Sequence, residues 1–566
     1  MTYTLLVMLI GVTVVVGGIL WLRLHAFLAL ILASFVVAAL TPASALNRFF
    51  VGTSGFPVLR QIDDQTFLIE TKGSNYEVGD RLVLIGLNPT SNSYDELGRV
   101  QIASLEDDET GFPVARLEDE TSFRGTEEMA KLRVVPRDSF KAAIKQSETG
   151  IGSRVASGFG NACLKIGIII AMAGIIGKCL LDSGAADRIV RSTLNMFGEG
   201  AAPVAFAASG FLLGVPVFFD TVFFLMIPLG KALHVRTKRS YLLYVLTIVC
   251  GATMAHSLVP PTPGPLAVSE ELGINLGLMI FAGLIVGLGT ATFGLIYASI
   301  LNRYCTLPLR ESPDVTLADL EETMKRSDAS LPSLWLSLSP ILVPVVLITG
   351  KALLDKSSSP PEWLPVSAGN WSSVRQFFAV FGDKNICMTL AALFSMLMLL
   401  FQKKPSFAEL STSMQKALSS AGVIILVTAA GGALGLSLRQ TGVADLIESL
   451  PQSSPVVLCT LAFLLTTAIR TAQGSASVAM MTAAGILSGM VQQGQLEFHP
   501  IYLALAIGCG SKPISWMNDS GFLVIARMSG MTEQEALKYI TPMTAAMGLF
   551  GLLLTIIGVT LWPSPL

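Results

Sequence analysis

The chain has 566 residues, of which 52% are hydrophobic and only 14% charged, and its mean hydropathy is +0.63. A soluble domain carries about 25% charged residues, so this composition belongs to a membrane protein. The net charge of −2 says nothing about partners, and no basic patch suggests nucleic acid. The seven cysteines, at 163, 179, 250, 305, 387, 459 and 509, show no CxxC or Cys/His spacing, so no disulfide framework, metal site or cofactor is indicated.

Crossing a bilayer takes about 20 apolar residues. Runs of that kind recur at 4–22, 26–43, 162–181, 276–300, 333–353, 385–401, 421–437 and 541–562. The first reads as a membrane helix and not as a cleaved leader, because no basic stretch precedes it and a second apolar run follows at once. Residues 1–48 thus hold two transmembrane helices.

Residues 49–148 differ in kind, with 18 acidic against 11 basic residues, a net of −7. The alternating runs 66-TFLIE-70, 81-RLVLIG-86 and 99-RVQIASL-105, separated by turn residues, predict strands. The block reads as a small, mostly β domain outside the bilayer, inserted after the second helix. It has no cysteine, histidine or glycine-rich phosphate loop, so a structural or docking module is the plainer reading and a sensor the sharper one. Residues 149–301 complete a first half, 302–332 form a cytoplasmic linker, and 333–566 form a second half.

The halves are related. The stretch 174-GIIGKCLLDSGAADRIV-190 shares three glycines, a leucine, an alanine and an aspartate with 432-GALGLSLRQTGVADLIE-448, always 258 residues apart. The same offset lays 214-GVPVFFDT-221 over 472-AQGSASVA-479, and 256-HSLVPPTPG-264 over 514-ISWMNDSGF-522. Before the inserted block the offset becomes 359, which is 101 more and close to the length of the block. Paired interruptions in two halves mark a transporter's binding site. The loop 231-KALHVRTKR-239 is basic and therefore cytoplasmic, whereas its partner 489-GMVQQGQLEFH-499 has no Lys or Arg and lies outside. The repeats are thus read as inverted. Treating 202–230 and 455–488 as re-entrant hairpins, with tips at Gly214-Val215-Pro216 and Gln473-Gly474-Ser475, reconciles the remaining loop charges. The expected fold is an all-α polytopic membrane protein with about ten transmembrane helices plus two re-entrant hairpins in two inverted repeats, carrying the β domain. Both termini and 49–148 are placed outside the cytoplasm.

Irregular backbone at membrane depth persists only where it is buried in protein or lines a cavity. Pro260, Pro261, Pro263 and Pro265 lack N–H groups and split 241–275 into two half-helices. The partner break is Asn518-Asp519-Ser520-Gly521, within 501–525. A half-helix that starts at such a break presents unpaired N–H groups and a positive dipole end, which suit a carboxylate. The candidate substrate-binding residues are therefore Pro216, His256, Pro260, Pro261, Thr262, Arg470, Gln473, Gly474, Ser475, Asn518, Ser520 and Gly521, with Ser477 as a further hydroxyl. Arg470 either pairs with a substrate carboxylate or balances an aspartate. Asp220 and Asp519 are ionisable groups at membrane depth, where charge is functional by default. With His256 they are the candidate proton-coupling groups, the alternatives being helix-end hydrogen bonds for the acids and packing for the histidine. Asp519 has the edge, because it lies within the break itself.

At these residues the sequence resembles the gluconate:proton symporter family of bacterial permeases, from about residue 150 to the C-terminus. The resemblance is carried by 210-GFLLGVPVFFDTVFFLMIPL-229, 256-HSLVPPTPGPLA-267, 470-RTAQGSASVAMMTAAG-485 and 515-SWMNDSGF-522. It implies proton-coupled uptake of gluconate or a related small sugar acid across the bacterial inner membrane, and a fold akin to the wider ion-transporter superfamily. The family usually has glutamate at the position of Asp220, histidine at Thr262 and small apolar residues at Lys512-Pro513, and it usually lacks the 49–148 block. Relatives that carry other small organic or amino acids are therefore an alternative. A membrane sensor that combines a transporter-like core with the inserted domain is the rival of another class, although no cytoplasmic stretch is long enough for an output domain. No catalytic constellation indicates an enzyme, and no G-x-x-x-x-G-K-[ST] occurs. The implied partners are a small anion, protons and the lipid bilayer; homo-oligomerisation is left open.

Overall fold

A computed structural model describes residues 2–564, except Arg23, Asn518 and the segments 64–65, 70–76, 89–90, 105–113, 118–131, 239–240, 311–329, 356–367, 443–453 and 493–495. Each of the eight apolar runs coincides with a helix. The chain opens with α1 (Thr2–Leu20), α2 (Ala26–Leu40) and α3 (Ala43–Thr53). After the β block come α4 (Arg137–Ser147), α5 (Ile151–Asp182), α6 (Ala185–Phe197), α7 (Ala202–Gly214), α8 (Phe219–Thr237), α9 (Tyr241–Leu258), α10 (Pro263–Glu271) and α11 (Leu276–Tyr304). The second half holds α12 (Leu334–Asp355), α13 (Ala368–Phe381), α14 (Lys384–Lys403), α15 (Phe407–Arg439), α16 (Pro455–Gln473), α17 (Ala476–Gln492), α18 (Ile501–Gly510), α19 (Ser520–Ser529) and α20 (Glu533–Leu561). Among the described residues, seven helices are long and apolar enough to cross a membrane, counting α9 with α10 as one. The number rises to nine if the bent pairs α2/α3 (99°) and α6/α7 (110°) are single spans.

Helix ends repeat with the sequence. The ends of α5, α8, α10 and α11 recur in α15, α17, α19 and α20 within three residues of the 258-residue offset; α16 ends within one residue of the offset from α7 but starts five residues earlier than it. The caps recur too: the Asn275 side chain accepts from Gly277 N at the start of α11, and Thr532 forms a capping box with Glu535 at the start of α20. One pair differs. The break after α9 spans 259–262, whereas α18 stops early at Gly510 and α19 begins only at Ser520.

The helices pack as membrane helices do, with small residues inward and large ones outward. On α11 Phe281, Ile285, Leu288, Ile296 and Ile300 are exposed, while Gly283, Gly287 and Gly294 are buried. Helix α9 is held between α7 and α11 at backbone contact. A Cβ on Gly251 would lie 2.1 Å from the Ala207 carbonyl oxygen, and one on Gly283 would lie 2.1 Å from that of Leu258.

The β block is a closed antiparallel barrel in the order β1-β2-β5-β4-β3-β6. Its strands are β1 (Phe56–Asp63), β2 (Thr66–Ile69), β3 (Arg81–Asn88), β4 (Ser93–Ser104), β5 (Val114–Leu117) and β6 (Arg133–Pro136). The three predicted runs fall on β2, β3 and β4. Alternation along β3 sends Leu82 and Leu84 into the barrel interior with Phe67, Ile69, Val100 and Val134. Val83 and Ile85 point the other way, into a second cluster with Val51 of α3 and Ala143 of α4. Thus α3 and α4 flank the barrel, and the block expected at 49–148 contains helix at both ends. Arg133 Nη1 donates to the Gly52 carbonyl at 2.7 Å, and Tyr94 N donates to Asn47 Oδ1 at 2.7 Å, fixing α3 to the strands.

Candidate functional site

Two broken helices and two hairpin-like turns meet at a cavity of about 640 Å³. Four helix N-termini line it: Phe219 and Asp220 of α8, Pro263 of α10, Ser475 and Ala476 at the start of α17, and Asp519 and Ser520 at the start of α19. The ends are brought together by close packing. Gly521 abuts Phe219, and Gly264 abuts Met480 and Ser477. Each N-terminus presents backbone N–H groups and a partial positive charge. The first turns of α8 and α10 receive no side-chain cap.

Ser511, Lys512, Ser515 and Asp519, between α18 and α19, form one wall, and this stretch is tied to α16. Thr467 Oγ1 donates to the Gly510 carbonyl at 3.0 Å, Arg470 Nε to that of Ser511 at 3.2 Å, and Trp516 Nε1 to that of Thr471 at 2.9 Å. Arg470 Nη2 also forms an ion pair with Asp519 Oδ2, which accepts from Ser515 Oγ at 2.5 Å as well. The other carboxylate oxygen of Asp519 caps α19 by accepting from Gly521 N at 2.9 Å. Ile514 within this segment has φ +53°, a region costly for a β-branched residue.

Two cations therefore face the cavity in different states. Arg470 is committed to Asp519 and Ser511, with only Nη1 buried and unpartnered among the described residues. Lys512, 5% exposed, donates to Thr253 Oγ1 at 2.9 Å and has no carboxylate within ion-pairing distance among the described residues. A buried ammonium held by one neutral hydroxyl retains donors for an anion. Asp220 also lines the cavity and has no hydrogen-bond partner among the described residues. His256 lines it too, with Nδ1 buried and unpartnered.

The family profile described as GntP family permease matches residues 144–561. The chain belongs to the GntP family of permeases. A permease of Haemophilus influenzae described as uncharacterised is 33% identical over 410 residues, covering 70% of this chain and 81% of that protein. The gluconate permease of Pseudomonas aeruginosa is 29% identical over 398 residues, covering 70% and 84%. The high-affinity gluconate transporter of Escherichia coli is 28% identical over 387 residues, covering 68% and 83%. In fold the chain is similar to the YdaH transporter of Alcanivorax borkumensis, with a TM-score of 0.52 at 17% identity over 85% of this chain and 94% of that one. The permease is thus a multi-pass membrane transporter, and its barrel lies outside the matched family region.

Of the residues expected at the site, Asp220, His256, Arg470, Ser475, Ser477, Asp519, Ser520 and Gly521 line the cavity of the permease. Pro216, Pro260, Pro261, Thr262 and Gly474 do not. They shape the backbone instead. Pro260 and Pro261 sit in the break, Thr262 returns its hydroxyl to the Val259 carbonyl at 2.7 Å, and Gly474 ends α16 at φ +79°. Asn518 lies outside the described residues, and Gln473 is placed only as the last residue of α16. Sequence reasoning noted Lys512 only as a departure from the family and did not place it, or Ser511, Ser515, Thr221 and Thr253, in the site, although all of them line the cavity. A lysine set among apolar residues was the available signal.

Proposed function

We propose that the permease takes up gluconate, or a closely related hydroxylated monocarboxylate, together with protons across the bacterial inner membrane. The observation that carries this reading is the convergence of four helix N-termini and two buried cations on one cavity. That field suits a single carboxylate, and Ser475, Ser477, Ser515 and Ser520 offer hydroxyl partners around it. The relatives named as gluconate permeases, and one from Escherichia coli named as an inner membrane permease, support the substrate class and the location. Lys512 is the counter-ion of the substrate carboxylate, since Arg470 is taken by Asp519. Asp220 is the coupling carboxylate. While it is charged it repels the substrate anion across the cavity, and once it is protonated it does not, so proton and substrate each favour the other's binding. This assignment moves the coupling role from Asp519, whose oxygens are occupied, to Asp220.

Lys512→Met tests the counter-ion. Losing a hydrogen bond to a charged group weakens binding by about 1.5–3 kcal/mol, about ten- to a hundredfold in Kd. Calorimetric titration of the solubilised permease with gluconate reads this directly. An unchanged Kd would remove Lys512 from the site.

The repeat in helix ends supports α7/α8 and α16/α17 as corresponding re-entrant hairpins, and the loop charges support ten spans in inverted halves with the barrel outside the cytoplasm. Single cysteines at Lys238 and Glu497, which follow α8 and α17, should then react with an impermeant thiol reagent from opposite faces of the membrane. Labelling of both from the same face would mean the halves are parallel.

A further inference from the structure

Helix α15 has one face that lines more than the central cavity. Ile424 and Thr428 border that cavity and Ser420 its edge; Lys416 comes next, then Ser413 and Thr412. Steps of three or four residues keep these side chains on one side of the helix. Ser420, Phe218 and Thr221 also border a second cavity of about 250 Å³, walled by α5. Lys416 and Lys178 are shared by that cavity and a third of about 330 Å³, towards the start of α15. Each cavity therefore adjoins the next through shared walls. At the other end of the same helix face, Thr428 and Gly432 border a gap of only about 10 Å³, no more than one water needs.

The charges along this row are unequal in their freedom. Lys178 Nζ pairs with Asp182 Oδ1 at 2.6 Å, and Ser413 Oγ donates to Asp182 Oδ2 at 2.5 Å, so that pair is neutral and held. Glu409 accepts from Ser406 N at 2.8 Å and from Ser406 Oγ at 2.9 Å, at the start of α15. It stands two turns further out than Lys416, about 10 Å along the axis. Lys416 has no ion-pair partner among the described residues, is exposed, and lies one turn, about 6 Å, from Ser420 at the edge of the central cavity. An ordinary solvated helix start would explain an exposed lysine, but not a lysine shared by two cavities that lead inward.

We propose that this face of α15 is the route by which the transported anion reaches and leaves the site, with Lys416 as an anion-binding step between the central cavity and the end of the helix near Phe407. The proposal rests on the reading of the central cavity as an anion site and adds a second, outer subsite of the same charge preference.

The test uses Ser420→Cys in the full-length permease with half-buried Cys163 and Cys305 replaced by serine, the other five native thiols being buried. Vesicles of each orientation are treated with two methanethiosulfonates of similar size, one anionic (sulfonatoethyl) and one cationic (trimethylammonioethyl). The thiol should react from one face only. A unit charge about 6 Å away in water changes each rate about threefold in opposite senses, so Lys416→Gln should lower the anion-to-cation rate ratio about tenfold. Lys416→Arg should leave the ratio unchanged, and high salt should shrink the effect. A ratio indifferent to the charge at 416 would overturn the proposal, as would a cysteine at 420 unreactive from either face when Thr412→Cys reacts. If the ratio shifts as expected but gluconate does not slow labelling, the route stands and the sugar-acid reading of the central cavity fails.

Discussion

Arg470→Ala should destabilise the permease by about 3–5 kcal/mol and abolish uptake, because it leaves a buried charge without its partner. Arg470 is 4% exposed and Asp519 8% exposed, so both charges are largely desolvated. The loss would not stop at the pair. The same guanidinium holds the Ser511 carbonyl, and the same carboxylate holds Ser515 and caps α19, so the end of α18 and the start of α19 both hang on this contact. Removing both charges together, as in Arg470→Met with Asp519→Leu, should cost less than the two single changes summed, since no uncompensated ion remains. Thermal melting of the four proteins in detergent measures the coupling. Strict additivity would mean that the ion pair does not hold the break.

Asp220→Asn should have the largest effect on transport itself. It keeps the side-chain size and the helix start and removes only the exchangeable proton. Preloaded proteoliposomes should still exchange labelled gluconate within a few-fold of the normal rate, but a pH gradient should no longer drive accumulation. In the unsubstituted permease, accumulation should rise as the outside is made more acidic; in Asp220→Asn that dependence should flatten. Asp519→Asn should lose exchange as well, because it breaks the pair with Arg470. Proton-driven accumulation that survives Asp220→Asn would shift the coupling role to His256, whose buried Nδ1 also faces the cavity.

Much of the helical part was legible because lipid imposes a simple rule. Apolar length marks a helix, and a polar or proline-rich gap marks a place where protein must surround the backbone. The offset relating Gly184 to Gly442 located both breaks, and the helix ends follow it closely. What the pattern could not tell is which residue of a break faces inward. A proline or glycine at a break spends its geometry on the backbone, as Pro260 and Gly474 do, and Thr262 turns its hydroxyl back onto the Val259 carbonyl. The residues that begin the next helix aim at the cavity, as Asp220, Ser475 and Ser520 do. Lys512 was missed because α18 ends earlier than its counterpart α9, so the offset laid an irregular segment over a helical one. In the barrel, alternation showed strands, but the pairing of β6 with both β1 and β3 joins residues far apart in sequence, and no local signal records it.

The pairing of Phe56 with Val134 places the two ends of the barrel one strand spacing apart, about 5 Å. A module whose entry and exit are neighbours asks no stretch of the chain that hosts it. It can be gained or lost between two helices in a single genetic event, leaving a gap that a short turn closes. The barrel is in this sense portable, and the same junction between α3 and α4 would accept a compact foreign domain, such as a fluorescent reporter with adjacent termini.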